Sequence, residues 1–155
     1  MEDIKAKVLV CDDDKNMRDS IRDNLEDDGY AVTEASTGPG AVAAALKESF
    51  DVILMDYKLT DPSGKESMTG IEAIKQIRVK DTESQILMLT GHASLDIAVQ
   101  SIQESVYDFI QSYFVRKALR TGSTHALIFL ISWARISGES PHNYVTLSLT
   151  QETRD

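Results

Sequence analysis

Residues 51–60 read DVILMDYKLT. Val52, Ile53, Leu54 and Met55 form a short continuous apolar run, β-branched at its start, and such a run reads as a strand buried on both faces. It stops at a carboxylate, Asp56, and polar residues follow at once. An aspartate there stands at the carboxyl end of a central strand, which is where open α/β sheets place their ligands. Taken alone, the segment also fits an aspartate that merely begins a turn.

A second segment repeats the pattern. Residues 7–14 read KVLVCDDD, an apolar run followed by three carboxylates. If the two strands lie parallel in one sheet, Asp12 or Asp13 faces Asp56 across a few ångströms. Two carboxylates about 5 Å apart repel by roughly 3 kcal/mol at an effective dielectric of 20. Folding tolerates such a cluster with a bound cation or raised carboxyl pKa values, and a hard cation such as Mg²⁺ suits oxygen ligands best. A solvated helix start is the alternative for the acidic run, since aspartate is favoured at an N-cap; Asp14 is read that way.

Composition narrows the class. The chain has 155 residues and a formal net charge of −9, enough length for one domain with its own core and the wrong sign for a basic nucleic-acid surface. The acidic excess lies before Gln111; beyond it, bases slightly outnumber acids, which marks a boundary. The one cysteine, Cys11, closes an apolar run and is expected to be buried and inert. A single thiol forms no internal disulfide, and the acidic, polar N-terminus has no secretory pattern, so a cytoplasmic location is expected. The longest apolar run, Ala126–Ile131, is far below the roughly 20 residues that span a bilayer. His92, His125 and His142 are scattered, which disfavours a histidine metal site.

In chain order, strands are expected at Lys7–Cys11, Tyr30–Ser36, Asp51–Asp56, Gln85–Thr90 and Val106–Gln111. Helices are expected at Lys15–Asp28, Thr37–Ser49, Gly70–Lys80 and Ser94–Ser105. The first helix presents Met17, Ile21, Leu25 and Asn24 on one face, and glycine at position 29 stops it. Strands alternating with helices at this spacing imply an α/β doubly wound parallel sheet with helices on both faces.

From Lys7 to Gln111 the chain resembles the receiver domain of two-component response regulators. VLVCDDD resembles the family's first strand with its acidic pair, Asp12 and Asp13, and DVILMDYKLT its phosphoacceptor strand. MTGIEAIKQIR, from Met68, is similar to the family's Met-Asp-Gly opening of the third helix, with Thr69 in place of the acid. ILMLTGHAS resembles the fourth strand, and SLDIAVQSIQESVYDFIQ is similar to receivers that precede enhancer-binding ATPase activators. The family fold is a flavodoxin-like five-stranded sheet in the order 2-1-3-4-5, in agreement with the strand reading.

The resemblance implies roles. Asp56 takes a phosphoryl group from a sensor histidine kinase or a small phosphodonor. Asp13, Asp56 and the backbone carbonyl of Lys58 hold Mg²⁺, with Asp12 acting through water. Thr90 donates a hydrogen bond to the phosphoryl group, and Phe109 is the aromatic switch on the fifth strand. Such a domain is no enzyme beyond its own phosphotransfer and autodephosphorylation. Two other functions share parts of this pattern: a receiver-like interaction module that does not use phosphorylation, and a small aspartyl phosphatase.

Three departures stand out. The loop between Asp56 and Gly70, with a turn expected at Asp61–Pro62–Ser63–Gly64, is longer than the family needs. Where the family has a lysine and usually a proline after the fifth strand, this chain has Ser112 and Tyr113. The resemblance also ends there. A receiver domain is therefore expected over 1–120 and a divergent segment over 121–155. A last helix is read at Phe114–Arg120. His125–Ile136 is apolar nearly all round, which favours burial or a homodimer contact, and a loose tail follows from Pro141. No DNA-reading motif is present, so no direct nucleic-acid binding and no membrane partner are expected of this chain.

Overall fold

The computed structural model describes residues 4, 6–65, 68–90 and 108–111. Five strands, β1 (Lys7–Cys11), β2 (Ala31–Ala35), β3 (Val52–Asp56), β4 (Gln85–Thr90) and β5 (Asp108–Gln111), form one sheet in the order β2-β1-β3-β4-β5. All four pairings are parallel. The helices are α1 (Lys15–Asp27), α2 (Gly38–Lys47) and α3 (Gly70–Arg78). The expected helix over 94–105, the segments beyond Gln111 and the first two residues of the expected fifth strand lie outside the described residues.

The two-residue period of the strands divides the core. Val8, Val10, Val52, Leu54 and Leu87 point to one face, where Met17, Ile21 and Leu25 of α1 cover them. Leu9, Cys11, Ile53, Met55, Ile86 and Met88 point to the other, against Ala41 and Val42 of α2 and Ile71, Ile74 and Ile77 of α3. Both faces of β1 and β3 are therefore dry, which is why these strands read as unbroken apolar runs rather than alternating ones.

Local chemistry sets the helix ends. Asp14 caps α1: its carboxylate accepts the backbone N–H groups of Asn16 at 3.0 Å and Met17 at 3.3 Å. Gly29 has φ 91°, the left-handed conformation that ends the helix after Asp28. Asn24 does not join the apolar face; its amide donates back to the Ser20 carbonyl at 2.7 Å. Thr37 stands outside α2 as its N-cap, accepting from Gly40, and Glu48 is already extended, so this helix is shorter than the expected Thr37–Ser49. Thr69 begins α3 with a capping box, Thr69 and Glu72 each accepting the other's backbone N–H. Threonine in place of an acid at position 69 thus has a local structural role.

Candidate functional site

Strand register brings the acidic residues together. Cys11 pairs with Met55 across β1 and β3, so Asp12 and Asp56, the next residues on each strand, leave the sheet at the same level. One carboxylate oxygen each from Asp12, Asp13 and Asp56 lies within 4.8 Å of the others. Asp12 is buried, while Asp13 and Asp56 are partly open to solvent. The cluster therefore opens outward at the carboxyl edge of the sheet.

Each member is held by its own surroundings. Asp12 accepts the Asp14 N–H on Oδ1 at 2.9 Å, and its backbone N–H donates to the Ala35 carbonyl of β2 at 3.2 Å. Arg18 of α1 donates from Nη1 to the Asp12 carbonyl oxygen at 2.8 Å and pairs through Nε with Glu34 of β2 at 3.5 Å. Glu34 in turn pairs with Arg22 at 2.9 Å. Asp13 Oδ2 accepts both the hydroxyl of Thr60, at 2.6 Å, and its N–H, at 3.2 Å.

The loop after Asp56 is tied at both ends. Leu59 is buried in the core face shared by α2 and α3, leaving Lys58 and Thr60 on either side of it exposed. The Gly70 N–H donates to the Tyr57 carbonyl at 2.9 Å. Between them, the turn expected at Asp61–Gly64 is present: the Gly64 N–H donates to the Asp61 carbonyl at 2.9 Å, and Gly64 has φ 80°. The Asp61 carboxylate accepts the Ser63 hydroxyl and the N–H groups of Ser63 and Lys65. These bonds, the Ser63 hydroxyl first, hold Asp61 below the usual carboxylate range.

The field of the triad reaches into the core. Burial, then Asp12 and Asp56, push the Cys11 thiol up to about 12, and that thiol donates to the Thr37 carbonyl at 3.4 Å. The donor set consists of carboxylate oxygens, the ligands of a hard divalent cation. Six oxygens at about 2.0–2.1 Å from Mg²⁺ place opposite ligands about 4.2 Å apart, and oxygens gathered within 4.8 Å of one another can reach one such ion with small adjustment. The residues present fit such an ion.

The structure brings Asp12, Asp13 and Asp56 together. Thr90 stands one residue beyond Leu89, the β4 partner of Asp56, and pairs with Gln111; Phe109 pairs with Met88. Their backbones thus lie on the two strands flanking β3 on one side. Ser112 is outside the described residues. Sequence reasoning missed Thr60 and Arg18. Thr60 lies 47 residues from Asp13, a separation that no local spacing rule reaches. For Arg18, the cue was its place one turn beyond the Asp14 cap.

The sequence pattern of the response regulator receiver domain matches residues 8–122, which continues past Gln111. The alginate biosynthesis transcriptional regulatory protein AlgB of Pseudomonas aeruginosa is 28% identical over 106 residues, 68% of this chain and 22% of that protein. The chain thus spans less than a quarter of that relative. The chemotaxis protein CheY4 of Vibrio cholerae has a similar fold, with TM-score 0.62 and 30% identity over 74% of this chain and 97% of that one. A response regulator of Burkholderia pseudomallei, solved with a phosphorylated aspartic acid, a calcium ion and citrate, has TM-score 0.62 and 26% identity over 79% of this chain and 71% of that one.

Proposed function

The chain belongs to the response regulator receiver domain family, and on that premise we propose that Asp56 is its phosphoacceptor. The observation that carries this reading is the convergence of the Asp12, Asp13 and Asp56 carboxylates at the ends of β1 and β3. In the proposed step an Asp56 carboxylate oxygen attacks phosphorus in line, the bond from phosphorus to the donor's nitrogen or oxygen breaks, and an acyl phosphate remains on the chain. The donor is the phosphohistidine of a sensor histidine kinase or a small acyl phosphate. Asp13, Asp56 and the Lys58 carbonyl would hold Mg²⁺, with Asp12 reaching it through water. When bound, the ion supplies charge compensation for the transferring phosphoryl group and orients it.

Thr90, at the end of β4, is placed by this reading to donate to a phosphoryl oxygen, and Phe109 on β5 to change position with it. The domain acts as a switch rather than as an enzyme with an external substrate, and its location is cytoplasmic. Among the described residues, no helix is long and apolar enough to cross a membrane. Residues 1–120 are read as the receiver and 121–155 as a divergent segment, whose apolar stretch His125–Ile136 either self-associates or packs as an irregular last helix.

Incubation with acetyl phosphate and Mg²⁺, read by intact-protein mass spectrometry, tests the assignment. One phosphoryl group is expected on the unaltered chain and none on Asp56→Asn. Undiminished labelling of the variant would sink it, and continuous turnover of a phosphoester would favour an aspartyl phosphatase instead.

A further inference from the structure

Asp13 Oδ2 accepts twice from a single residue. The Thr60 hydroxyl lies 2.6 Å away and the Thr60 N–H 3.2 Å away. A carboxylate oxygen has two lone-pair sites, so Thr60 occupies both sites of Oδ2 and leaves Oδ1 as the oxygen open to another ligand. Thr60 is itself fixed in place: Leu59 before it is buried at 2% exposure, and the loop folds back on itself from Asp61, whose N–H donates to the Lys65 carbonyl at 2.9 Å.

We propose that Thr60 is a specificity-determining residue that, by filling Oδ2 of Asp13, limits this carboxylate to one-oxygen ligation and biases the site toward Mg²⁺ over Ca²⁺. The inference rests on the reading of Asp13 as a metal ligand. Its physical basis is the difference between the two ions. Ca²⁺ takes six to eight oxygens at 2.3–2.6 Å and readily accepts both oxygens of one carboxylate, whereas Mg²⁺ demands near-octahedral geometry at 2.0–2.1 Å. Two oxygens of one carboxylate are too close together to fill two octahedral positions well. A carboxylate that offers a single oxygen therefore costs Mg²⁺ nothing and removes one ligand from Ca²⁺.

The variants follow from the two donors. Thr60→Val keeps the N–H and the shape but removes the hydroxyl. Thr60→Ala makes the same deletion with a smaller side chain, should valine disturb the loop. Thr60→Ser restores both donors. Mg²⁺ and Ca²⁺ are titrated separately by calorimetry into the full chain and each variant, with Asp13→Asn alongside. Losing the hydroxyl's hydrogen bond to a charged group is expected to lower the preference for Mg²⁺ over Ca²⁺ about tenfold, and Thr60→Ser to keep it within about twofold. If Asp13→Asn weakens Mg²⁺ binding but the preference is the same in Thr60→Val, Thr60→Ala and the unaltered chain, Thr60 only tethers the loop and the inference falls alone. If the unaltered chain binds no Mg²⁺, or Asp13→Asn binds it equally well, the metal-ligand reading falls and takes this inference with it.

Discussion

Gly70 packs directly on the backbone carbonyl of Asp56. A Cβ at position 70 would sit far inside contact distance of the Asp56 oxygen and only 3.1 Å from Met55 Cγ, and the Gly70 N–H holds the neighbouring Tyr57 carbonyl. The first turn of α3 is thus seated against the strand end that carries the proposed acceptor. The obstacle is backbone, which cannot swing aside as a side chain would. Gly70→Ala is expected to lose about 1–3 kcal/mol of stability through overpacking, despite alanine's better helix propensity. Urea unfolding followed by circular dichroism checks this; a loss under about 0.5 kcal/mol would mean that α3 shifts freely at that end.

Asp13→Asn should stabilise the chain in the absence of divalent metal. It removes one charge from three carboxylates whose oxygens lie within 4.8 Å, while the amide oxygen still accepts from Thr60. Allowing for solvent at this partly open site, the gain is about 1 kcal/mol. Mg²⁺ should raise the melting temperature of the unaltered chain and not of the variant. Lower metal-free stability in Asp13→Asn would show that the charge itself supports the fold.

Cys11 should report global unfolding. It is fully buried, and its thiol is pushed up to about 12 by burial and by Asp12 and Asp56, so neither access nor thiolate is available in the folded chain. Reaction with a disulfide reagent at pH 8 is expected to be about a thousandfold or more slower than that of a free thiol. It should accelerate in urea with the same midpoint as the loss of circular dichroism. Rapid labelling in native buffer would reveal local opening of the β1 end.

Asp81, in the turn between α3 and β4, gives an acid-side signature. Burial raises its carboxyl, but the N–H and hydroxyl of Ser84, the N–H of Glu83 and the charge of Arg78 outweigh that and hold it low. A carboxyl lowered in the folded state adds stability above its unfolded value, near pH 4, and loses it as pH falls through the lower folded value. Asp81→Asn should therefore be less stable at neutral pH, by less than about 1 kcal/mol for this partly exposed group. The difference should vanish on acidification below pH 4. A constant difference across that range would remove the charge from the explanation.

The fold was legible because its strands are unusual in composition, not merely in pattern. Lys7–Cys11 and Gln85–Thr90 could be bounded to the residue, since each apolar run begins and ends at polar or acidic side chains. The sheet order follows from parallel strands and the receiver resemblance. Helix ends were harder. Thr37, read as the first residue of its helix, stands outside it as the cap, because a threonine looks the same in sequence on either side of that boundary, whereas the start of α3 at Gly70 agrees with the reading. The Thr69–Glu72 spacing was a usable signal for the start of α3. Of the site, the three aspartates were readable because each closes or follows an apolar run. Thr60 was not, because its partner, Asp13 in the segment after β1, is 47 residues away, and nothing within a few residues of Thr60 encodes that contact.

The register of β1 has a consequence for how the chain acquires this shape. Val8 pairs with Val32 on one side and with Val52 on the other. During synthesis the first strand emerges with neither neighbour, gains β2 early, and keeps its second edge open until β3 has been made. Every rung of this sheet joins residues far apart in the chain, so loop closure must precede reward at each step. The nascent β1 is among the most apolar stretches of the chain, and it is enclosed on both edges only when β3 docks. Docking of β3 closes this edge and passes the open one to β3, then to β4, until β5 is paired, so a template for foreign strands persists until the last strand is added.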